Sequence, residues 1–232
     1  MSVLPSMPVP GQRPISASPD RLAPVEASRV LDAIDPREAL TVLGPSKGKN
    51  RGGQAIETET AWSEAMLRAR ADVLARSKVD DGGLRPAWLR YNGNFYRNVG
   101  SALGEAAANG RALILSGGYG ILRADEPISY YDRKLRIGDW PSGMLEHTII
   151  DEARRVSAQK VVTFVSASAD YAKLVRRVPW SGTGLGAVLV TIDFHGGGAQ
   201  VEVPKRLAKA FSAWWRGSPS DYPASMVAEV LA

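Results

Sequence analysis

Tyrosines, an arginine and three carboxylates follow directly after an apolar run in the segment LILSGGYGILRADEPISYYD, residues 113–132. A buried strand needs none of these side chains. Arg123 is suited to clamp an anionic group, and Asp125, Glu126 or Asp132 to act as a general base or a metal ligand. Because open α/β sheets bind ligands beyond the carboxyl ends of their strands, this segment predicts a functional site.

Ser116, Tyr119 and Tyr131 belong to the same segment and are predicted to contact the ligand. Gly117-Gly118 lies between them, and a glycine pair allows a ligand to approach the backbone closely. The alternative is a salt-bridged loop that only braces the domain. The density of mixed charge and tyrosine favours the site.

A second candidate is the loop LGPSKGKN, residues 43–50, which follows a short apolar strand. It is not a Walker A loop, because three rather than four residues separate its glycines and Asn50 stands where the Mg²⁺-binding hydroxyl belongs. Backbone N–H groups with Lys47 or Lys49 still form a reasonable anion site. An exposed basic turn explains the loop equally well.

Aromatic residues and arginines alternate in the stretch RPAWLRYNGNFYRNV. Such a mixture can stack on bases while it neutralises phosphates. We predict that Arg90, Tyr91 and Arg97 serve a binding site, whereas Trp88 and Phe95 pack in the core.

Composition limits the classes of function. The chain of 232 residues has no cysteine, which excludes disulfide scaffolds and Cys-ligated metal sites, and its two histidines argue against a His-rich centre. A carboxylate-held Mg²⁺ stays open, although we predict no metal and no cofactor. No apolar run is long enough to span a membrane and no signal peptide is recognisable, which predicts a cytoplasmic protein. The net charge of +5 indicates an anionic partner or a surplus of surface arginine, with equal weight.

Hydrophobic periodicity predicts a flexible leader at residues 1–27 and one α/β domain at residues 28–232, with a mixed, largely parallel central sheet flanked by helices. Strands are predicted at 40–43, 111–116, 160–167, 186–194 and 198–204, the last two as a hairpin. Helices are predicted at 25–39, 58–78, 98–109, 144–157, 168–178, 205–217 and 221–232.

Four stretches in order resemble the YaaA peroxide-stress family: TVLGPSKGK, YNGNFYRNV, ILSGGYGILRADEPISYYD and VVTFVSASADYAKLV. The resemblance covers about residues 40–215. It implies a cytoplasmic α/β protein that binds DNA and protects against oxidative damage, and YaaA-like domains are also linked to nucleobase modification. The site positions that match the family's motifs are Ser46, Lys47, Ser116, Tyr119, Arg123, Tyr131, Ser168 and Tyr171.

Three hypotheses stay open. The first is a nucleic-acid-binding protein, with DNA favoured over RNA, in which Tyr91, Tyr119 and Tyr131 contact bases. Its phosphate contacts would be Lys47, Arg90, Arg97, Arg123 and Lys173.

The second hypothesis is an enzyme acting on a nucleobase or nucleoside, with Asp125 or Glu126 as general base while Lys47 and Arg123 hold an anionic group. Its site would lie between the Lys47 loop, the Arg123–Tyr131 segment and the Ser168–Tyr171 turn. The third is an interaction domain in which the charged segment is scaffolding.

Overall fold

A computed structural model describes residues 21–55, 62–167 and 169–232. Strands within these ranges are β1 (Arg21–Leu22), β2 (Leu40–Leu43), β3 (Lys78–Pro86), β4 (Ala112–Ser116), β5 (Gly120–Arg123), β6 (Pro127–Asp132), β7 (Lys160–Phe164), β8 (Gly186–Ile192) and β9 (Met226–Val230). Helices are α1 (Pro24–Asp32), α2 (Glu64–Ala75), α3 (Ala87–Arg90), α4 (Asn94–Asn98), α5 (Ala102–Ala108), α6 (Met144–Arg155), α7 (Asp170–Arg177) and α8 (Ala199–Arg216). Two 3₁₀ turns lie at Ile137–Asp139 and Pro219–Asp221.

Seven strands form the main sheet in the order β1-β9-β8-β7-β2-β4-β5. Its four central strands, β8, β7, β2 and β4, are parallel, and antiparallel strands flank them on both sides. Strands β2 and β4 are buried along their whole length, as expected of Leu-, Val- and Ile-rich strands covered on both faces. The predicted single α/β domain with a mixed, largely parallel sheet is confirmed.

Helices cover the two faces of this sheet in separate layers. Helices α1, α3, α4, α5 and α8 contribute to one hydrophobic core, which includes Phe164, Phe211 and Trp214. Helices α2, α6 and α7 contribute to the other core, which includes Met66 and Ile149. The loop that leaves β2 is hydrogen-bonded through Gly44 and Ser46 to the start of α4 on the first face, whereas β7 leads into α7 on the second. The chain therefore leaves β2 and β7 toward opposite faces, which opens a crevice beyond their carboxyl ends.

Strand β5 reverses the chain at the edge of the main sheet. Ser116 pairs with Gly120 and Leu113 with Arg123, so β5 ends beside the start of β4. Strand β6 then runs back and pairs with β3 in a separate two-stranded sheet. The segment predicted as one charged loop is thus two strands: β5 ends beside the amino end of β4, and β6 ends beside its carboxyl end.

Two predicted elements and one boundary are wrong. Residues 198–204 belong to the start of α8 rather than to a strand, and residues 226–230 form β9 rather than a helix. Strand β9 pairs antiparallel with β8 and takes the place predicted for the hairpin strand. The leader boundary at residue 27 is too late, because β1 pairs with β9 and Ala27 of α1 is fully buried. Residues 1–20 lie outside the described residues.

No helix among the described residues is both long and apolar enough to cross a membrane.

Candidate functional site

A cavity of about 390 Å³ opens at the crevice between the carboxyl ends of β2 and β7. Three chain segments line it: residues 45–49 after β2, residues 131–135 at the end of β6, and residues 169–171 at the start of α7. Their convergence follows from the topology. The segments that leave β2 and β7 diverge at this point, and β6 returns to the same end of these strands. The volume is in the range of small-molecule sites.

The loop after β2 is held against the segment before α4. Ser46 Oγ accepts a hydrogen bond from the Gly93 N–H at 2.9 Å and donates one to the Gly48 carbonyl. The Asn50 N–H donates to the Arg90 carbonyl at 2.7 Å, and Lys49 forms an isolated β-bridge with Tyr91. The backbone around Lys49 is therefore fixed on both sides.

The glycine pair serves the fold rather than a ligand. A Cβ on Gly117 would lie 2.1 Å from the Arg133 carbonyl oxygen, and one on Gly118 would lie 2.7 Å from the Tyr131 ring. Only glycine lets residues 131–134 pass this close to the end of β4. The prediction that a ligand approaches this backbone is wrong, because the chain itself occupies the space.

A buried chain of hydroxyl groups forms the floor below the cavity. Tyr131 Oη lies 2.6 Å from Tyr91 Oη and 2.8 Å from Ser116 Oγ, and Ser116 Oγ accepts the Tyr119 N–H at 3.1 Å. Burial raises the pKa of Tyr131 above its ordinary value, although its hydrogen bonds with Ser116 and Tyr91 lower it. Burial also raises the pKa of Tyr91. These phenols stay protonated at neutral pH and position the Tyr131 ring.

Lys49 differs from the other lysines of the cavity in the surroundings of its amine. Its Nζ lies 4.3 Å from the centre of the Tyr131 ring and 5.5 Å from that of Tyr91. It donates to the Ser46 carbonyl at 3.3 Å, and no described carboxylate lies within ion-pair distance of it. Burial lowers the pKa of the Lys49 amine to about 8, and the charge of Asp132, which raises it, does not offset burial.

The opposite wall combines a phenol with charged groups at the rim. Burial raises the pKa of Tyr171 to about 12, although a hydrogen bond with the Leu135 backbone lowers it. Lys47, Asp132 and Lys134 line the cavity from exposed positions. The cavity thus offers aromatic rings, hydroxyl donors, one desolvated amine and two solvated ammonium groups.

Four of the predicted site residues, Ser46, Lys47, Tyr131 and Tyr171, do line the cavity together. Ser116 is fully buried beneath it and contacts it only through Tyr131. Ser168 lies outside the described residues.

Tyr91 and Tyr119 do not contact bases as predicted. Tyr91 is buried in the core. Tyr119 turns toward β6, where its hydroxyl lies 2.7 Å from Ser129 Oγ and accepts the Ser129 N–H at 3.1 Å. Both side chains are structural.

Arg90 does not contact phosphates either. Its side chain is fully buried, and its guanidinium donates five hydrogen bonds to the carbonyls of Asn50, Gly52, Gly83 and Ile128 at 2.6–3.3 Å. These carbonyls belong to the loop after β2, to β3 and to β6. Arg90 therefore joins three segments of backbone. Trp88 and Phe95 pack against or within the core, as predicted.

The assignments for Arg123 and Glu126 are also wrong. Arg123 makes a bidentate ion pair with Glu152, at 2.9 and 2.7 Å, and this hydrogen bonding raises the pKa of the Arg123 guanidinium. Glu126 pairs with Arg70 at 2.6 Å and accepts the Trp62 Nε1–H at 2.9 Å. A carboxylate that is held in an ion pair and a hydrogen bond is a poor general base. Both residues follow the turn that reverses the chain between β4 and β5, so they lie near the amino end of β4, whereas the cavity lies beyond the carboxyl ends of β2 and β7.

Three further predicted residues lie away from the cavity lining. Asp125 is exposed in the turn between β5 and β6, near the amino end of β4, and is absent from the cavity lining. Arg97 is exposed on α4 and donates to Asn94 Oδ1 at 2.9 Å. Lys173 is exposed on α7 and pairs with Asp170 at 3.0 Å.

Arg70 of α2 is a further buried arginine. It donates to the carbonyls of Tyr119 and Ile121 of the β5 region. These bonds occupy carbonyls of an edge strand, which is a way to protect such an edge.

A second, larger cavity of about 630 Å³ lies between α8 and the junction of α4 and α5. Its cationic lining residues, Lys205, Arg206, Lys209 and Arg216, share one side of α8. Arg206 lies 4.7 Å from the Phe194 ring and donates to Ser225 Oγ, whereas Lys209 and Arg216 have no ion-pair partner among the described residues. Nowhere in the described chain do three or more acidic or histidine side chains gather to hold a metal ion.

The fold and this arrangement define a class: a doubly wound α/β protein with a candidate ligand site at the topological switch point. Comparisons with known protein families and with characterised proteins give no match. The resemblance to the YaaA family therefore stays a prediction.

Proposed function

We propose that the protein is an enzyme acting on a small anionic ligand of the nucleobase or nucleotide type, bound in the switch-point cavity with Lys49 as the reactive amine. The observation that carries this proposal is the desolvated Nζ of Lys49, which lines a cavity and has no carboxylate partner among the described residues. A lysine kept in this state costs folding free energy, and such costs are typical of functional sites.

The neighbouring groups suit this ligand class. Lys47 and Lys134 at the rim can hold a phosphate or carboxylate. Tyr171, whose phenol stays protonated, can donate to a ring heteroatom, and the Tyr131 ring adds an aromatic wall. With its pKa near the operating pH, Lys49 can accept and return a proton.

The resemblance to the YaaA family supports the same ligand class through its link to nucleobase modification, and a role in protection from oxidative damage is part of that proposal. The proposed chemistry does not use Asp125, Glu126 and Arg123, which the sequence predicts as general bases and anion clamp. It rests on Lys49, which neighbours the family-matched Ser46 and Lys47 in the cavity wall.

Ligand-induced stabilisation tests the proposal. We expect a nucleoside monophosphate at about 100 times its Kd to stabilise the fold by about 2.7 kcal/mol, a rise in Tm of roughly 5 °C, and the free base to give less. Lys47→Met should weaken the effect of the monophosphate. Lys160→Met is the matched control, because this exposed lysine begins β7 at the opposite end of the strand. Absence of a shift across bases, nucleosides and nucleotides would contradict the proposal.

A second candidate function is nucleic-acid binding at the groove along α8. Lys205, Lys209 and Arg216 are spaced by four and seven residues and share one side of the helix, with Arg206 beside them. Lys209 and Arg216 are exposed, and neither pairs with a carboxylate among the described residues. Lys205 and Arg206 share Glu202 as an ion-pair partner, at 3.2 and 4.0 Å, so Lys209 and Arg216 are the solvated cations available to a phosphate backbone.

Charge reversal tests this candidate. We expect Lys209→Glu with Arg216→Glu to lower the affinity for a short DNA about tenfold or more and the log–log salt slope by about two, because two phosphate contacts are lost. Arg68→Glu with Arg154→Glu makes the same charge change on α2 and α6, on the other face of the sheet. Equal losses for both pairs would contradict a specific groove.

A further inference from the structure

Lys49 has a property that anion binding alone does not require, because its amine is partly removed from solvent. Two exposed lysines, Lys47 and Lys134, already supply positive charge at the rim of the cavity. A third ammonium group for binding would be more useful if it were solvated or paired, yet Lys49 is placed where its charge is disfavoured. A buried amine is the arrangement that activates a lysine as a nucleophile.

We propose that Lys49 forms a covalent imine with the carbonyl carbon of an anionic aldehyde or ketone, such as the open-chain form of a phosphorylated sugar. This inference rests on the proposed function, because it uses the same cavity; the reacting carbonyl is that of a sugar phosphate without its base, since the sugar of an intact nucleotide has no open-chain form.

The geometry leaves the Lys49 lone pair free to attack. Nζ makes one hydrogen bond, to the Ser46 carbonyl, and otherwise faces the rings of Tyr131 and Tyr91. An amine with pKa about 8 is about one quarter neutral at pH 7.5, compared with about one thousandth for an ordinary lysine. The Lys49 loop is fixed by Ser46 and by the bridge to Tyr91, so the amine is preorganised.

The reaction balances without an added oxidant or reductant. The neutral Nζ attacks the carbonyl carbon, a C–N bond forms, and the carbonyl oxygen takes a proton to give a carbinolamine. A proton then moves from nitrogen to this oxygen, the C–O bond breaks to release water, and the nitrogen lone pair forms the C=N bond of the protonated imine. Hydrolysis by water reverses the step. Tyr171 lines the cavity as a protonated phenol that can supply the proton, and Asp132 lies close enough to Lys49 to influence its charge.

The anionic group of the substrate would lie toward the exposed rim. Lys47 and Lys134 are available there, whereas Arg133 is committed to Asp139 at 2.6 Å. The titratable and charged groups that face or surround the Lys49 amine are Lys47, Tyr91, Tyr131, Asp132, Arg133, Lys134, Asp170 and Tyr171.

Reductive trapping tests the inference on the full chain. The protein is incubated with 2-deoxyribose 5-phosphate and cyanoborohydride, and modified lysines are located by peptide mass spectrometry. Reduction leaves a secondary amine, so the peptide gains the mass of the sugar phosphate less one oxygen atom. We expect labelling of Lys49 at least about tenfold above Lys47 and Lys134, with a pH midpoint near 8, because the neutral amine reacts. Neutral 2-deoxyribose should label Lys49 about tenfold less, because it lacks the charged group.

Lys49→Arg serves as the matched variant, because it keeps a cation and removes the nucleophilic amine. It should lose the adduct at this position, whereas the low background labelling of Lys47 and Lys134 should stay the same. Labelling spread evenly over exposed lysines would overturn the inference. Thermal stabilisation by nucleotides without a Lys49 adduct would overturn the imine and leave the proposed function standing, whereas absence of both would overturn the two together.

Discussion

Arg90→Ala should lower the free energy of unfolding by roughly 4 kcal/mol, because it leaves buried carbonyls without a donor and creates a cavity. Four carbonyls, those of Asn50, Gly52, Gly83 and Ile128, receive hydrogen bonds from this one fully buried side chain. The expected fall in Tm is roughly 10 °C for a chain of this size. Urea denaturation with fitted m-values measures the change.

Two variants make the result specific. Arg97→Ala removes an exposed arginine from the next helix and should change stability by less than about 0.5 kcal/mol. Arg90→Lys keeps a buried cation with fewer donors and should fall between wild type and Arg90→Ala. A loss below about 1 kcal/mol for Arg90→Ala would contradict the role assigned to this arginine.

Arg90→Ala should also change the structure of the candidate site. Arg90 holds the carbonyl of Asn50, the residue directly after Lys49, and also holds the Ile128 carbonyl of β6, the strand that ends with Tyr131 and Asp132. Its loss should therefore loosen two walls of the cavity at once.

The sequence predicted the fold class well because the central strands carry a local signal. The runs ALTVL, RALILS and KVVTF are mainly apolar and lack the strict alternation of a half-buried strand, as expected of strands buried on both faces. The C-terminal elements were misassigned because GAQVEVP alternates like a strand. In α8, Val201 is exposed and Val203 buried only because of the way the helix packs. Strand β9 depends on the open edge of β8, a non-local partner that no local pattern reveals.

The site was predicted in part for a similar reason. The rule on strand ends places Ser46, Lys47, Tyr131 and Tyr171 near one another, and these four residues line one cavity in the structure. It misplaced Arg123 and Glu126 because β5 is antiparallel and carries the chain back to the amino end of β4.

Residue type alone does not show which lysine of the loop after β2, Lys47 or Lys49, is withdrawn from solvent. Lys47 and Lys49 stand two residues apart, and only the packing of Tyr91 and Tyr131 against Lys49 distinguishes them.

Lys49→Met should stabilise the fold while it abolishes the chemistry of the site. Lowering of the pKa of Lys49 from its ordinary value to about 8 corresponds to roughly 3 kcal/mol of disfavoured charge, and since the amine retains part of its solvent contact we expect about half of this as a gain near pH 7. Methionine fills a similar volume and makes favourable contacts with aromatic rings. Lys47→Met, at an exposed position in the same loop, should change stability little.

The stability gained by Lys49→Met should depend on pH in a defined direction. Below about pH 8 the lysine is protonated in both the folded and the unfolded chain, so the full cost of the buried charge is present. Between about pH 8 and about pH 10 the folded amine has lost its proton and the unfolded one still holds it, so the stability contributed by this group rises with pH. The advantage of the Met variant should therefore be largest near pH 7 and shrink toward about pH 9.5, as urea denaturation at the two pH values would show. An advantage that is absent, or that grows with pH, would mean that Lys49 keeps an ordinary ammonium, and the reactive amine on which both proposals depend would not exist.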